Sequence, residues 1–518
     1  LLVSSCSSES TTTSTTKTTA VTSTTSTSTA TTTTAVTPKK GGILRVNTSG
    51  VTGSLGWPAN FTGADVGKAQ PALESLLRQN WDGSLYPWLA TSYDINYDEP
   101  SVTFHLQQGV KFTDGTDFNA EAVKFNYDSV ITKKKQAFWK SVSVVDTYTV
   151  KIVLTTWSNI AMISFADTGT ACVASVKAYQ DNGEDWTNTH VVGTGAFKLV
   201  SYEKDSKIVW TKNDNYWKPG LPYLDGIELL ITSDYQTNKN MLQAGETDSF
   251  SAELGKQADE LSKLGLDLDV IVQHQATYSL IPDTKNADSP YANKLVREAV
   301  EYAINKEAIA SGLGYGFWEA PYQIPPKDNS AYNPNYSGTV RKYNPDKARE
   351  LLKLAGYPNG FKTDLVPGMA KNLDTATAIK SYLDAVGIET TLNNMDTAAY
   401  MQYRSGDGWH NALLIEPLAA FGNYNSTWNY YFSPTGTQFR SWTRSEAFLK
   451  VFNASILSHD LDISLMRAVN DEIMEECSLI PVHEGGASQP TYKYVKGAGF
   501  LQRGFPIYWN AESAWLDK

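Results

Sequence analysis

The residues of this chain that could run chemistry are scattered, and their spacing assembles no catalyst. Histidines stand at 105, 190, 274, 410, 459 and 483, with none of the spacings that hold a metal. There is no H-E-x-x-H, no G-x-S-x-G turn and no lysine closing a glycine-rich phosphate loop. Gly193-Thr194-Gly195 lacks the third glycine of a dinucleotide fingerprint. Asp267 with Asp269, and Glu475 with Glu476, are pairs a glycosidase would need, but such pairs are ordinary on surfaces. The types present suit holding a molecule instead. Between Tyr403 and Trp442, aromatic residues interleave with asparagines, a mixture that offers a ligand flat apolar contacts and hydrogen bonds together. Tyr403, Arg404, Trp409, His410, Asn411, Asn423 and Trp428 are the candidates from this run, and about half of the run is expected to be core. Neither a metal nor a cofactor is expected.

The elements that must carry these residues read as α/β. At 518 residues the chain exceeds one hydrophobic core, so two or three domains are expected. A net charge of −11 argues against nucleic acid, which wants a basic face. Lys133-Lys134-Lys135 reads as a solvated helix end, and no run of eighteen apolar residues is present to span a membrane. Val102, Phe104 and Leu106 alternate with polar residues, as do Val150, Ile152 and Leu154, so both predict half-buried strands. Asp114-Gly115 signals a hairpin, and Asn119 caps a predicted helix through Val130. Leu295, Val296, Ala299, Val300, Ala303 and Ile304 line one side of a helix predicted over Lys294–Ala310. Asn344 with Pro345 opens another helix that Gly356 and Pro358 stop. A helix over Ala376–Val386 feeds the strand Ile388–Leu392, a last helix covers Ile463–Cys477, and a strand is expected around Ile271–Ile281. Cys172 and Cys477 are read as two separate buried thiols, with a disulfide the alternative. Residues Ser7–Thr37 are almost wholly threonine and serine and cannot bury enough apolar surface to offset ordering, so a disordered tether is expected.

One stretch carries a family signature. Gly193-Thr194-Gly195 turns into the strand starting at Phe197, where glycine's freedom at positive φ is expected to permit the turn. Lys207–Trp210 follows, then the bend Asn213-Asp214-Asn215, Tyr216-Trp217 and Leu224-Asp225-Gly226. This order resembles the family 5 extracellular solute-binding proteins of ABC importers, the group that holds the oligopeptide- and dipeptide-binding receptors. Gly41-Gly42-Ile43-Leu44-Arg45-Val46, Leu85-Tyr86-Pro87-Trp88-Leu89-Ala90, Gly109-Val110-Lys111-Phe112 with Asp114-Gly115-Thr116, and Leu479-Ile480-Pro481-Val482-His483 match further family phrases. The resemblance covers Lys40–Lys518.

The resemblance implies a two-lobed, periplasmic-binding-protein-like (Venus-flytrap) α/β fold with an extra subdomain in the first lobe. It divides the chain into an anchor and tether over 1–39 and a first lobe over 40–275 with the extra subdomain at about 58–190. A second lobe over 276–485 and a return to the first lobe over 486–518 complete it. The loop Asn47–Gly67 lines the cleft in the family, so Trp57 and Asn60 join the candidates; Trp57 serves there either as a ligand platform or as a loop plug. Peptide-binding relatives place an aspartate for the peptide's α-ammonium at a position that is Ala412 or Leu413 here. An unpaired buried ammonium costs several kcal/mol, so Asp407 or Glu416 would have to substitute. The expected activity is an extracytoplasmic receptor, monomeric, not an enzyme, that closes on a small solute and delivers it to an ABC permease. A peptide is the first choice and an oligosaccharide a close second; a lipid-anchored hydrolase and a surface adhesin are the other classes. Leu2-Val3-Ser4-Ser5-Cys6 resembles a lipobox, which makes Cys6 the expected site of lipid attachment to the outer face of the membrane.

Overall fold

Family phrases far apart in the chain converge on one buried carboxylate. In a computed structural model, Glu74 accepts hydrogen bonds from Trp88 Nε1 at 2.8 Å, Thr194 Oγ1 at 2.7 Å, Tyr216 OH at 2.8 Å and Trp217 Nε1 at 3.0 Å. Four neutral donors satisfy the anion without a salt bridge to any of them. Trp88 is in turn sandwiched, with the Arg78 guanidinium 3.2 Å and the Lys218 ammonium 3.1 Å from its ring centroid. Burial and the Arg78 charge pull the Lys218 pKa down to about 8. Arg78 also holds Glu512, in the C-terminal tail, at 2.5 Å. The structure describes residues 37–518 except 51–52, 63–64, 167, 337, 339, 369–371, 437 and 502–508, with backbone alone at 272–275.

The glycines of the Gly193-Thr194-Gly195 turn act differently from expectation. Neither is among the positive-φ glycines. A Cβ on Gly193 would sit 2.0 Å from the Ala72 carbonyl oxygen, and one on Gly195 2.5 Å from that of Pro71. Close approach of another backbone excludes a side chain here, not the turn's dihedral angles.

The main sheet runs, in spatial order, through Phe197–Glu203, Lys207–Lys212, Gly226–Ile231, Ile43–Thr48, Ser249–Phe250, Ile480–Tyr492, Leu268–Pro282, Ala412–Ala419, Phe361–Val366 and Ile388–Leu392. Ile43–Thr48 pairs in parallel with Gly226–Ile231, and Phe361–Val366 does so with Ile388–Leu392. The alternating segments form strands, with Val102, Phe104 and Leu106 buried in an antiparallel four-stranded sheet over which Ala120–Thr132 packs as a helix. Asn119 caps that helix by accepting from the Ala122 N–H at 3.0 Å. The helix expected over Lys294–Ala310 is two helices, Lys294–Ala303 and Lys306–Leu313. Asn305 stops the first and caps the second, its side chain accepting from the Ala308 N–H at 2.9 Å. Lys306 is thereby brought 2.7 Å from the fully buried Glu301, which also pairs with Arg341. Cys172 and Cys477 lie in different cores and are not joined by a disulfide.

Apolar residues gather into separate cores. One contains Leu44, Phe104, Trp210 and Leu229 together with Phe500, Trp509 and Leu516 from the tail. Two others hold residues between Leu280 and Val482, the more aromatic of them around Trp409, Trp428, Phe432 and Trp442. The long strands Leu268–Pro282 and Ile480–Tyr492 pair antiparallel along nearly their whole length, with register shifts at His274/Ala276 and Tyr278/Ser279. The two sides also touch elsewhere. Asn159 Nδ2 donates to the Ser455 carbonyl at 2.7 Å and to Ser458 Oγ at 3.0 Å, and its Oδ1 accepts from Asn425 Nδ2 at 3.2 Å. Ser158 and Trp157 donate to the carbonyls of Ile456 and Ser458, and the Tyr97 ring stacks on His459 at 3.7 Å.

Candidate functional site: a two-walled cleft

Beside the paired long strands lies a cavity of about 1010 Å³, at the upper end of small-ligand sites, roughly 300–1,000 Å³. Its two walls differ in chemistry. One comes from the start of the loop after the first strand and from the segments around 232 and 251. It presents Asn47, Thr48, Ser49, Thr232, Ser233 and Asn238, joined by Ser251 and Gln257, with Tyr235 its one aromatic ring. Asn47 Nδ2 donates to Asn238 Oδ1 at 2.7 Å, which fixes both amides in the wall. The facing wall is the end of the strand Ala412–Ala419 and the helix Tyr424–Phe432, and presents Pro417, Ala419, Ala420, Phe421, Tyr430 and Tyr431. Among the described lining residues, Glu253 carries the only formal charge.

The floor is made by the long strands, with Ala276, Tyr278, Gly486 and Ala487. Tyr278 stacks on His483 at 4.4 Å, and His483 on Trp318 at 3.9 Å. Burial lowers the His483 pKa to about 3, so the imidazole is neutral and inert as an acid at ordinary pH. Gly485 is required beside this stack, because a Cβ there would lie 2.6 Å from the Tyr278 ring. The next carboxyl, Glu484, is buried, and burial first, then Glu319 and Asp328, push its pKa up to about 8.

None of the candidates named from sequence is among the residues lining this cavity. Trp57 is buried and stacks on Tyr179 at 4.1 Å, the position of a loop plug. Asn60 bridges Glu184, at 2.9 Å, and Lys133. Trp409 and Trp428 are core residues, the first edge-on to Phe439 and the second to Tyr424. Asn423 caps the helix Tyr424–Phe432 by accepting from the Asn425 N–H at 3.0 Å. His410 is exposed and pairs with Asp288 at 3.0 Å, which raises its pKa. Asn411 takes a left-handed conformation, φ 46°, and donates to the Lys362 carbonyl at 3.0 Å. Tyr403 is half-buried, with its pKa pushed up to about 12 by burial and by Asp364 and Asp283.

The two proposed substitutes for an amine-binding aspartate also sit away from the lining. Glu416 is buried against Arg404, 3.0 Å away, and accepts from the Tyr400 hydroxyl, so its charge is already matched. Asp407 is exposed and accepts from Gln402 Nε2 at 3.0 Å. Ala412 and Leu413 are buried in the sheet. The wall residues that sequence reasoning passed over include Phe421 and Tyr430, inside the same aromatic run. Helical periodicity could have separated them, since Tyr424, Trp428, Tyr431 and Phe432 share one face and Tyr430 does not.

A family model described as bacterial extracellular solute-binding proteins, family 5 Middle, matches residues 84–439. The glutathione-binding protein GsiB of Shigella flexneri is 31% identical over 371 residues, which covers 68% of this chain and 71% of that protein. The glutathione-binding protein GsiB of Salmonella typhi is 32% identical over 371 residues, covering 68% and 70%. Among solved structures, the periplasmic binding protein DppA of Helicobacter pylori in complex with the peptide STSA superposes with a TM-score of 0.73 at 24% identity, covering 93% of this chain and 99% of that one. HbpA2 from Haemophilus parasuis reaches 0.78 at 22% identity, covering 92% and 100%.

Proposed function

We propose a short peptide as the cargo of this chain, which belongs to the family 5 bacterial extracellular solute-binding proteins and is the solute-binding receptor of an ABC importer. It acts outside the cytoplasm, and no described helix is long and apolar enough to cross a membrane. The observation that carries the peptide reading is the pairing of an amide-and-hydroxyl wall with an aromatic wall across one cavity. A peptide has both surfaces, since its backbone alternates donors and acceptors while its side chains supply apolar bulk. Relatives support it: two are named for binding glutathione, and the similar solved structures include complexes with the peptide STSA and with Met-Leu.

In this reading, Lys40 to about residue 275 and the tail from 486 form one lobe, and 276–485 form the other. The two long strands are the hinge. Ligand favours the closed form because it touches both walls only when they face each other closely. The receptor works as a monomer, retains its cargo without turning it over, and presents the closed form to a permease. Cys6, outside the described residues, is the proposed lipid attachment point. An oligosaccharide is the second reading, favoured by the buried Ala412 and Leu413 at the aspartate position and by hydroxyl-rich lining.

Thermal shift with short peptides and with oligosaccharides tests the choice, because stabilisation grows as RT ln(1 + [L]/Kd). Peptides are expected to raise the melting temperature and to be recovered intact by mass spectrometry. Stabilisation by oligosaccharides alone would replace the peptide reading, and recovery of cleaved peptide would restore the hydrolase.

A further inference from the structure

One side chain in the cleft is not explained by the packing of its own helix. In Tyr424–Phe432 the residues Tyr424, Trp428, Tyr431 and Phe432 form a buried stripe. Tyr430 lies off that stripe, is 51% exposed, and lines the cavity. Its ring meets Phe421 edge-on, with centroids 6.3 Å apart and planes at 90°, and meets Tyr431 at 4.8 Å and 85°. Tyr431 is a fixed backing. Its hydroxyl donates to the Pro417 carbonyl at 3.1 Å and accepts from the Ala419 N–H at 3.1 Å, which ties the helix to the adjacent strand. The opposite wall offers hydroxyls and amides.

We propose that Phe421 and Tyr430 form an aromatic corner that sets specificity by gripping one large apolar or aromatic side chain of the bound peptide. The proposal rests on the peptide reading above and adds the class of residue selected. Two perpendicular rings present a face and an edge at once, so a planar group entering the corner stacks on one ring and meets the other edge-on, the two arrangements that aromatic pairs favour. The peptide backbone then turns toward the amides and hydroxyls across the cleft. Because Tyr430 is half exposed and Tyr431 is held by its own hydrogen bonds to Pro417 and Ala419, replacing Tyr430 is expected to leave the fold intact.

The test is calorimetry on the whole chain with three tripeptides, Ala-Phe-Ala, Ala-Leu-Ala and Ala-Ser-Ala. Wild type is expected to favour the phenylalanine and leucine peptides over the serine peptide by about tenfold or more. Tyr430→Ala should reduce that preference to roughly threefold or less, through loss on the apolar peptides alone, while Tyr430→Phe should keep it. The melting temperature of ligand-free Tyr430→Ala should match wild type. A preference that survives Tyr430→Ala, an equal loss on all three peptides, or a loss in Tyr430→Phe as large as in Tyr430→Ala overturns the corner. Wild type that binds none of the three yet is stabilised by an oligosaccharide overturns the peptide reading itself, and the corner with it.

Discussion

Where Leu268–Pro282 and Ile480–Tyr492 run side by side, the two lobes are joined by a continuous backbone ladder. Where Trp157–Asn159 meet Ser455–Ser458, they are joined by side chains that reach carbonyl groups across a gap. The ladder's hydrogen bonds lie within one sheet that both sides share, so they need not be exchanged with water for the lobes to part. The second junction has no such continuity, and each of its bonds can be exchanged for one to water when the lobes part. In the proposed division into lobes, the first is the hinge and the second a clasp. Their difference teaches that this receptor's fold and its closure are held by separate sets of bonds, which mutations should resolve.

The largest effect is expected at the hinge. Gly485→Ala places a Cβ against the Tyr278 ring, 2.6 Å from its nearest carbon. Displacing that ring disturbs the stack with His483 and Trp318, and overpacking of this kind costs about 1–3 kcal/mol. A lowered melting temperature in chemical or thermal unfolding checks it; an unchanged melt would mean that the stack yields freely and that the hinge is soft. Smaller, and different in kind, is the expected outcome at the clasp. Asn159→Ala removes three hydrogen bonds in a buried cluster with Asn425 and Ser455. The open form escapes the penalty by hydration, so the change should appear as a five- to tenfold loss of affinity, about 1–1.4 kcal/mol. Small-angle scattering should show a more open average shape, with the ligand-free melt nearly unchanged. A drop in melting temperature equal to that of Gly485→Ala, without opening, would erase the distinction between the two junctions.

A third test, separate from the two substitutions, probes the hinge through pH. Glu484 is held in the long strand by burial and by the nearby Glu319 and Asp328, with Lys327 opposing them, so its pKa stands at about 8. A carboxyl unfolded in water titrates near ~4.3. The folded state therefore keeps a proton that the unfolded state has lost, and the stability this contributes is full below the unfolded value and is lost as pH rises through about 8. Melting temperature should fall between these limits, and Glu484→Gln should flatten the fall. An identical pH profile in the variant would remove Glu484 as its cause.

Sequence reached the scaffold further than the site, for a physical reason visible in single residues. Val102, Phe104 and Leu106 show their buried face by alternation, and Asn119 and Asn344 announce helix starts by their own side chains, whereas the same signal at Asn305 was passed over inside one expected helix. These are local signals. Gly193 and Gly195 were legible as a phrase, but the cause is the backbone of Ala72 and Pro71, about 120 positions earlier in the chain and in direct contact, which no local rule reports. The cleft has the same difficulty. Trp409 and Trp428 have the composition of ligand platforms, yet tertiary packing puts them in a core. Tyr430, two residues from Trp428, faces the cavity because a helix turns about 100° per residue. Asn47 and Asn238 become neighbours only when the sheet brings their segments together.

The pairing of Arg78 with Glu512 spans 434 positions, and it sets an order of events during synthesis. The core around Leu44 and Trp210 draws on Phe500, Trp509 and Leu516, so it stays incomplete until the end of the chain has been made. The aromatic core around Trp428 and Trp442 draws on residues from Ile281 to Leu479 and can close earlier. Loop closure over such separations is slow, and unfinished sheet edges invite association with other chains. The same tail that seals this core is therefore the last part it waits for.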